Sequence, residues 1–173
     1  MRKVPLLVLV EGPSDETFFN RVILPNLRSK YSHVTVIPYA RMQAKIVGGV
    51  VRAFVNAGAE YVMLRDRDSH AHTCRTECRN ECLARCPGLD PKRIRIVEEA
   101  IESWLVAVAN GAVRASRGWA LANTDTLSKA TFHSMLGPNE TPYDVQQEIL
   151  RSPDLVAGRK RNTSLDYFFL RLP

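Results

Sequence analysis

Four short apolar runs alternate with stretches of helical period along the first two-thirds of the chain. Val4 to Val10 is almost uniformly apolar and stops at Glu11-Gly12, as a strand covered on both faces of a parallel sheet does. Ser14 then reads as a helix N-cap, with Asp15 and Glu16 in the favourable first turn and Phe18, Phe19, Val22, Ile23 and Leu27 at helical spacing. His33 to Pro38 is rich in β-branched residues and predicts a second strand. Met42 to Asn56 predicts a helix whose apolar face is Ile46, Val47, Val50, Val51, Phe54 and Val55, stopped by Gly58. Tyr61 to Leu64 predicts a third strand, running into Arg65-Asp66-Arg67-Asp68. A helix over Thr73 to Cys86 ends at Pro87-Gly88, Ile94 to Val97 makes a fourth strand, and Glu98 to Asn110 makes a fourth helix.

The order βαβαβαβα predicts an α/β fold: a four-stranded parallel sheet, Rossmann-like, with helices on both faces and right-handed crossovers. Thr126 to Met135, Tyr143 to Leu150 and Leu165 to Leu172 read as short helices. The expected organisation is a core over 1–112 and a helical extension, a cap on the same domain, over 113–173.

Composition narrows the partner class. The 173 residues carry a net charge of +6, which favours a polyanionic partner such as nucleic acid. The longest apolar run falls far short of the ~20 residues of a spanning helix, so no membrane association is expected. Arg2 and Lys3 precede that run as in a signal peptide, but it ends at Glu11 with no small-residue cleavage site, and a cytoplasmic protein is expected.

Three acidic clusters fall at the carboxyl ends of predicted strands, where open parallel sheets bind ligands. Glu11 and Asp15 follow the first strand, Asp66 and Asp68 the third, and Glu98 and Glu102 the fourth. Carboxylates brought close need a cation, and an all-oxygen set suits Mg²⁺ or Mn²⁺. Asp66 and Asp68, two apart in an extended segment, point the same way; Glu98 and Glu102, four apart, share a helical face. Each cluster also has an ordinary reading as a strand end, a dipole partner or a solvated helix side. Their shared edge is what favours a metal site.

Val10-Glu11-Gly12-Pro13-Ser14-Asp15-Glu16 and Arg65-Asp66-Arg67-Asp68 resemble the two signature motifs of Toprim domains. Those domains occur in topoisomerases, bacterial primases, a ribosomal-RNA maturase and the overcoming-lysogenisation-defect (OLD) nucleases. Ala100 to Leu105, with Glu102-Ser103-Trp104-Leu105, resembles a motif of small stand-alone Toprim proteins close to the OLD nucleases. The resemblance implies Glu11 as metal ligand and general base, and Asp66 and Asp68 as ligands. It implies Asp15 as the second acid of OLD-type members, Glu102 as their later glutamate with Glu98 able to share that role, and Lys160 as the lysine that completes the site. Two departures stand out. Arg67 is a bulky cation between the aspartates, and these residues contain no Walker motif; no ATPase domain is expected to precede them, so substrate delivery is expected to differ.

The implied activity is phosphodiester hydrolysis on DNA or RNA with two Mg²⁺ or Mn²⁺ ions. Arg159, Lys160 and Arg161 are the candidate nucleic-acid contacts. Two alternatives stay open: a non-catalytic Mg²⁺-dependent nucleic-acid-binding module serving a partner protein, and a nucleotide phosphotransfer enzyme. A homo-oligomer is compatible with either. His70 and His72 could contact metal or phosphate. Cys74, Cys78, Cys82 and Cys86, every fourth residue, are expected to form a buried packing stripe, because sulfurs strung along a helix cannot wrap one ion.

Overall fold

A computed structural model describes residues 3–68 and 73–173. His70 and His72 lie outside the described residues. The strands are β1 (Leu6–Val10), β2 (Val34–Pro38), β3 (Glu60–Asp66) and β4 (Ile94–Val97), in the order β2-β1-β3-β4. The sheet is parallel throughout. Leu6 pairs with Val34 on one side of β1 and with Glu60 on the other. The chain leaves β1 to one side for β2 and returns to the other for β3, so the topological switch point lies between β1 and β3.

The helices are α1 (Pro13–Phe18), α2 (Leu24–Leu27), α3 (Ala44–Asn56), α4 (Arg75–Arg85), α5 (Ile101–Ala107), α6 (Gly111–Ser116), α7 (Lys129–Ser134), α8 (Pro142–Leu150), α9 (Leu155–Arg161) and α10 (Thr163–Leu170). A π turn over Phe19–Ile23 joins α1 to α2. Among the described residues no helix is long and apolar enough to cross a membrane.

The chain divides into two compact units. The first comprises Met1–Arg65, His72–Ile96 and Leu172–Pro173; the second comprises Asp66–Ala71 and Val97–Arg171. In the first unit, Leu7, Leu9, Tyr61, Met63, Ile94 and Ile96 form one face of the sheet and pack with Val47 and Val51 of α3 and Cys78 and Cys82 of α4. The alternate set Leu6, Val8, Val10, Val62 and Leu64 is buried as well, so both faces are covered, as β1's continuous apolar run requires. The second unit has its own core of Trp104, Phe132, Val145, Ile149, Leu165 and Phe168, with Trp104 and Phe168 tilted at 56° and 5.6 Å between centroids. Gly158 of α9 lies against α5's end: a Cβ there would stand 2.6 Å from Val108 Cγ1 and 3.2 Å from its Cα.

Several local expectations need correction. Gly12, not Ser14, is the N-cap of α1; Pro13 takes the first helical position, where its missing N–H costs nothing. Glu98 is not helical. Glu99 adopts a left-handed backbone (φ 60°), which a regular helix excludes, and α5 begins only at Ile101. Glu98 and Glu102 therefore do not share a helical face. The strand alternation expected of Asp66 and Asp68 also ends at Asp66, because Asp68 is left-handed (φ 47°). On α3 the buried side is Val47, Gly48 and Val51, while Ile46 and Val55 are exposed; the apolar stripe is wider than the surface that covers it. Cys78, Cys82 and Cys86 are buried thiols as expected, but Cys74 is exposed at the N-cap of α4, outside the helix that continues the stripe.

Candidate functional site

In the first unit, β1 runs directly into Glu11. Extending the β1–β3 register two residues past Leu9 and Met63 sets Glu11 beside Arg65. Arg65 Nη1 donates to Glu11 Oε1 at 2.9 Å, and its Nη2 lies 3.5 Å from Glu81 Oε2. Burial is the largest influence and works against the Arg65 charge, but the Glu11 carboxylate together with Tyr39, Cys82 and Cys78 holds the guanidinium pKa above its ordinary value. Burial also pushes the Tyr39 hydroxyl well up, with Glu11 adding to the shift, and that hydroxyl donates to Leu64 O at 3.0 Å.

Asp15 is buried and turned back on its own loop. Its Oδ2 accepts the Glu11 N–H at 3.0 Å and the Gly12 N–H at 3.1 Å. That pair of charge-assisted bonds fixes the bend that presents Glu11. A cavity of about 70 Å³ opens nearby, lined by Tyr39, Met42, Met63, Arg65, Glu81 and Cys82 among others. It is less than half the ~150 Å³ of a benzene-binding cavity, too small to enclose a nucleobase.

In the second unit, segments 66–68 and 97–102 are stitched together. Arg67 N–H donates to Val97 O at 3.0 Å, and Asp68 N–H donates to Glu99 O at 2.9 Å. Asp66 Oδ2 accepts the N–H of Ile101 at 3.3 Å, so one predicted ligand also satisfies an orphan donor at the start of α5. Arg67 Nη1 lies 3.5 Å from Glu98 Oε1, and its Nη2 donates to Glu99 Oε1. Glu102, half-buried, stands in the first turn of α5. The non-glycine residues with positive φ among the described residues are Asp68 and Glu99, both in this cluster; local strain of ~1–3 kcal/mol per residue concentrates where the surrounding structure enforces a functional geometry.

The structure thus puts Asp66 and Asp68 on one segment and Glu98 and Glu102 on the segment hydrogen-bonded to it, in one unit, and Glu11 with Asp15 in the other. Lys160 is exposed on α9. Its neighbours are engaged: Arg159 Nε donates to Asp166 Oδ1 at 2.7 Å, and Arg161 Nη1 donates to Ala107 O and Ala109 O, each at 3.0 Å, closing the end of α5. Sequence reasoning assigns no role to Glu99, which reads as first-turn helix, or to Arg65, and marks Arg67 only as a departure from the family pattern. The alternation R-D-R-D was the available signal.

Arg67 carries one positive charge and meets two carboxylates, Glu98 and Glu99. Its Nε is buried without a hydrogen-bond partner among the described residues. Among the described residues no three His, Cys, Asp or Glu side chains are already gathered as a coordination group. The all-oxygen donors nonetheless fit a hard divalent cation by chemistry and by charge.

Fold and site together define an α/β protein with a parallel sheet and acidic motifs following β1, β3 and β4. No family model matches the chain, and no curated protein does. Among solved structures, the C-terminal region of the Xanthomonas campestris pv. campestris OLD protein matches at TM-score 0.38 and 17% identity, over 96% of this chain and 85% of that one.

Proposed function

We propose that the chain is a metal-dependent nuclease that hydrolyses phosphodiesters in DNA or RNA. One observation carries the reading: the two motifs that resemble Toprim signatures follow β1 and β3, adjacent strands at the switch point of a parallel sheet, where α/β folds place their ligands. In the second unit Asp66, Asp68, Glu98 and Glu102 are the carboxylates that would hold Mg²⁺ or Mn²⁺; the resemblance to the Toprim motifs implies the same chemistry for Glu11 and Asp15 of the first unit. When bound, such ions activate water and stabilise the leaving oxygen. Glu11 would accept a proton from the attacking water, and Lys160, exposed and cationic, would offset charge building on the phosphate. The net charge of +6 suits the polyanionic substrate.

The test is cleavage of end-labelled DNA and RNA, single- and double-stranded, in Mg²⁺, Mn²⁺ or EDTA. Cleavage in metal that EDTA stops, and that Asp66→Asn abolishes while the variant still melts cooperatively, supports the reading. A folded Asp66→Asn protein cutting at the wild-type rate refutes it. Metal-dependent binding without cleavage makes the chain a binding module for a partner enzyme.

A further inference from the structure

Glu98 sits outside any helix, so something other than helical hydrogen bonding must hold it. Its backbone N–H donates to Ser164 Oγ at 3.2 Å, and its carbonyl accepts from Ser103 Oγ at 3.1 Å. Ser164 Oγ also accepts from Trp104 Nε1 at 2.7 Å and donates to Asn162 Oδ1 at 2.8 Å. Asn162, wholly buried, donates through Nδ2 to Ser103 Oγ at 3.3 Å and to Thr124 Oγ1 at 3.1 Å. Its Oδ1 also accepts the Leu165 N–H at 2.9 Å, capping α10.

These contacts close a ring through Glu98, Ser103, Asn162 and Ser164, with Trp104 bound to it. Within the ring, every bond but those to the Glu98 backbone joins side chains that have no solvent to turn to. In a low-dielectric core such a network is stiff when satisfied and costly when any member is lost. The ring therefore clamps the peptide groups on both sides of the Glu98 side chain, and Ser164 does so from 66 residues further along the chain.

We infer that Ser164 and Asn162 are positioning residues that set Glu98 for cation binding. The inference rests on the proposed role of Glu98 as a metal ligand, but not on catalysis. Partners that orient a ligand from behind cost about 10–100-fold in metal affinity when removed. Ser164→Ala removes the hydroxyl that accepts from the Glu98 N–H and from Trp104 Nε1–H while changing little volume. Ser103 and Trp104, within the stretch that resembles a family motif, gain a physical role. Ser103 holds the Glu98 carbonyl, and Trp104 holds the serine that accepts the Glu98 N–H.

The experiment measures Mn²⁺ affinity by electron paramagnetic resonance on the full chain, without nucleic acid, alongside thermal melting. The variants are Ser164→Ala, Ser164→Thr, which keeps the hydroxyl, and Thr141→Ala. Thr141 caps α8 in the same unit and touches none of the ring, so its variant reports general destabilisation. Expected is a loss of Mn²⁺ affinity of about tenfold or more for Ser164→Ala, recovery in Ser164→Thr, and wild-type affinity in Thr141→Ala despite a lowered melting temperature. Equal affinity in Ser164→Ala and Thr141→Ala overturns the inference. Wild-type protein that binds no Mn²⁺ overturns it together with the metal reading. Selective loss in Ser164→Ala, in a protein that cleaves no nucleic acid, upholds the positioning role and refutes only the nuclease. Should Ser164→Ala not fold, Trp104→Phe removes one donor from the ring and keeps an aromatic in the core. It must then weaken Mn²⁺ binding more than Thr141→Ala does, or the inference fails.

Discussion

Two glycine-to-alanine substitutions inside helices should change stability in opposite directions. At an unobstructed helical site, alanine gains about 1 kcal/mol over glycine by lowering the entropy lost on folding. A methyl placed on Gly49, in the interior of α3, meets nothing within 4 Å, so Gly49→Ala should take nearly the whole gain. Gly158, in α9, has the same propensity to gain and no room to gain it. Its Cβ would stand 2.6 Å from Val108 Cγ1, 3.2 Å from Val108 Cα and 3.3 Å from Val108 N. The valine methyl could rotate away, but the two backbone atoms belong to the end of α5, where Val108 O also accepts the Asp154 N–H at 2.7 Å. Overpacking of this kind costs about 1–3 kcal/mol. Set against the propensity gain, the net for Gly158→Ala is destabilisation by up to about 2 kcal/mol. For a chain of this length each kcal/mol moves the melting temperature by roughly 2–4 °C. Calorimetry should therefore show Gly49→Ala melting a few degrees above wild type and Gly158→Ala several degrees below. A Gly158→Ala protein as stable as Gly49→Ala would refute the close approach of α9 to Val108.

Three further outcomes follow from particular contacts. Native protein treated with iodoacetamide near neutral pH should be alkylated rapidly at Cys74 alone, with Cys78, Cys82 and Cys86 reacting only after denaturation; all three are buried, and burial pushes the Cys82 thiol up to about 11. Mass spectrometry that finds rapid labelling at Cys82 would remove α4 from the core. The Arg117 guanidinium beside Glu140, helped by the Gly137 N–H, holds the Glu140 carboxyl at about 2, below its ordinary 4.5. A depressed folded-state pKa gives stability that is complete above about 4.5 and lost as pH falls towards 2, so Glu140→Gln should flatten the fall in melting temperature across that window; an unchanged slope would show the pair to be inert. Lys160→Ala should fold as wild type, since its side chain is exposed, and should lower the slope of log K against log salt for DNA by about one unit; an unchanged slope would place the phosphate contact elsewhere.

The four strands were legible because an unbroken apolar run bounded by turn residues has few other readings. Helix positions in the second half were less so. Residues 155–161, LVAGRKR, looked like a basic tail with a glycine in it, yet they form α9, and the glycine is there because α5 leaves no space for a Cβ. The positions of the acidic residues after β1, β3 and β4 were legible, but not their local geometry: two left-handed backbones, at Asp68 and Glu99, reset the directions that strand and helix periods predict. The buried polar ring could not be read at all. Ser103, Thr124, Asn162 and Ser164 have the composition of a surface, and only contacts between residues distant in sequence place them inside.

The arginines between the aspartates give the second motif a division of labour. In R-D-R-D, Arg65 closes on Glu11 and Arg67 on Glu98 and Glu99, while Asp66 takes the first N–H of α5. Glu98 and Glu99 are adjacent in sequence, and the segment that carries them is hydrogen-bonded to the one that carries Asp66 and Asp68. With no positive charge at hand, those carboxylates would repel one another and the two segments would spread. Arg67 supplies a compensating charge from within the motif itself, so the acidic segments keep their places in the metal-free protein. One Arg67 faces both Glu98 and Glu99, and its Nε has no hydrogen-bond partner among the described residues. For the proposed metal site this means that a divalent ion would meet segments whose places are already set by Arg67 and by the Asp68–Glu99 and Arg67–Val97 backbone bonds.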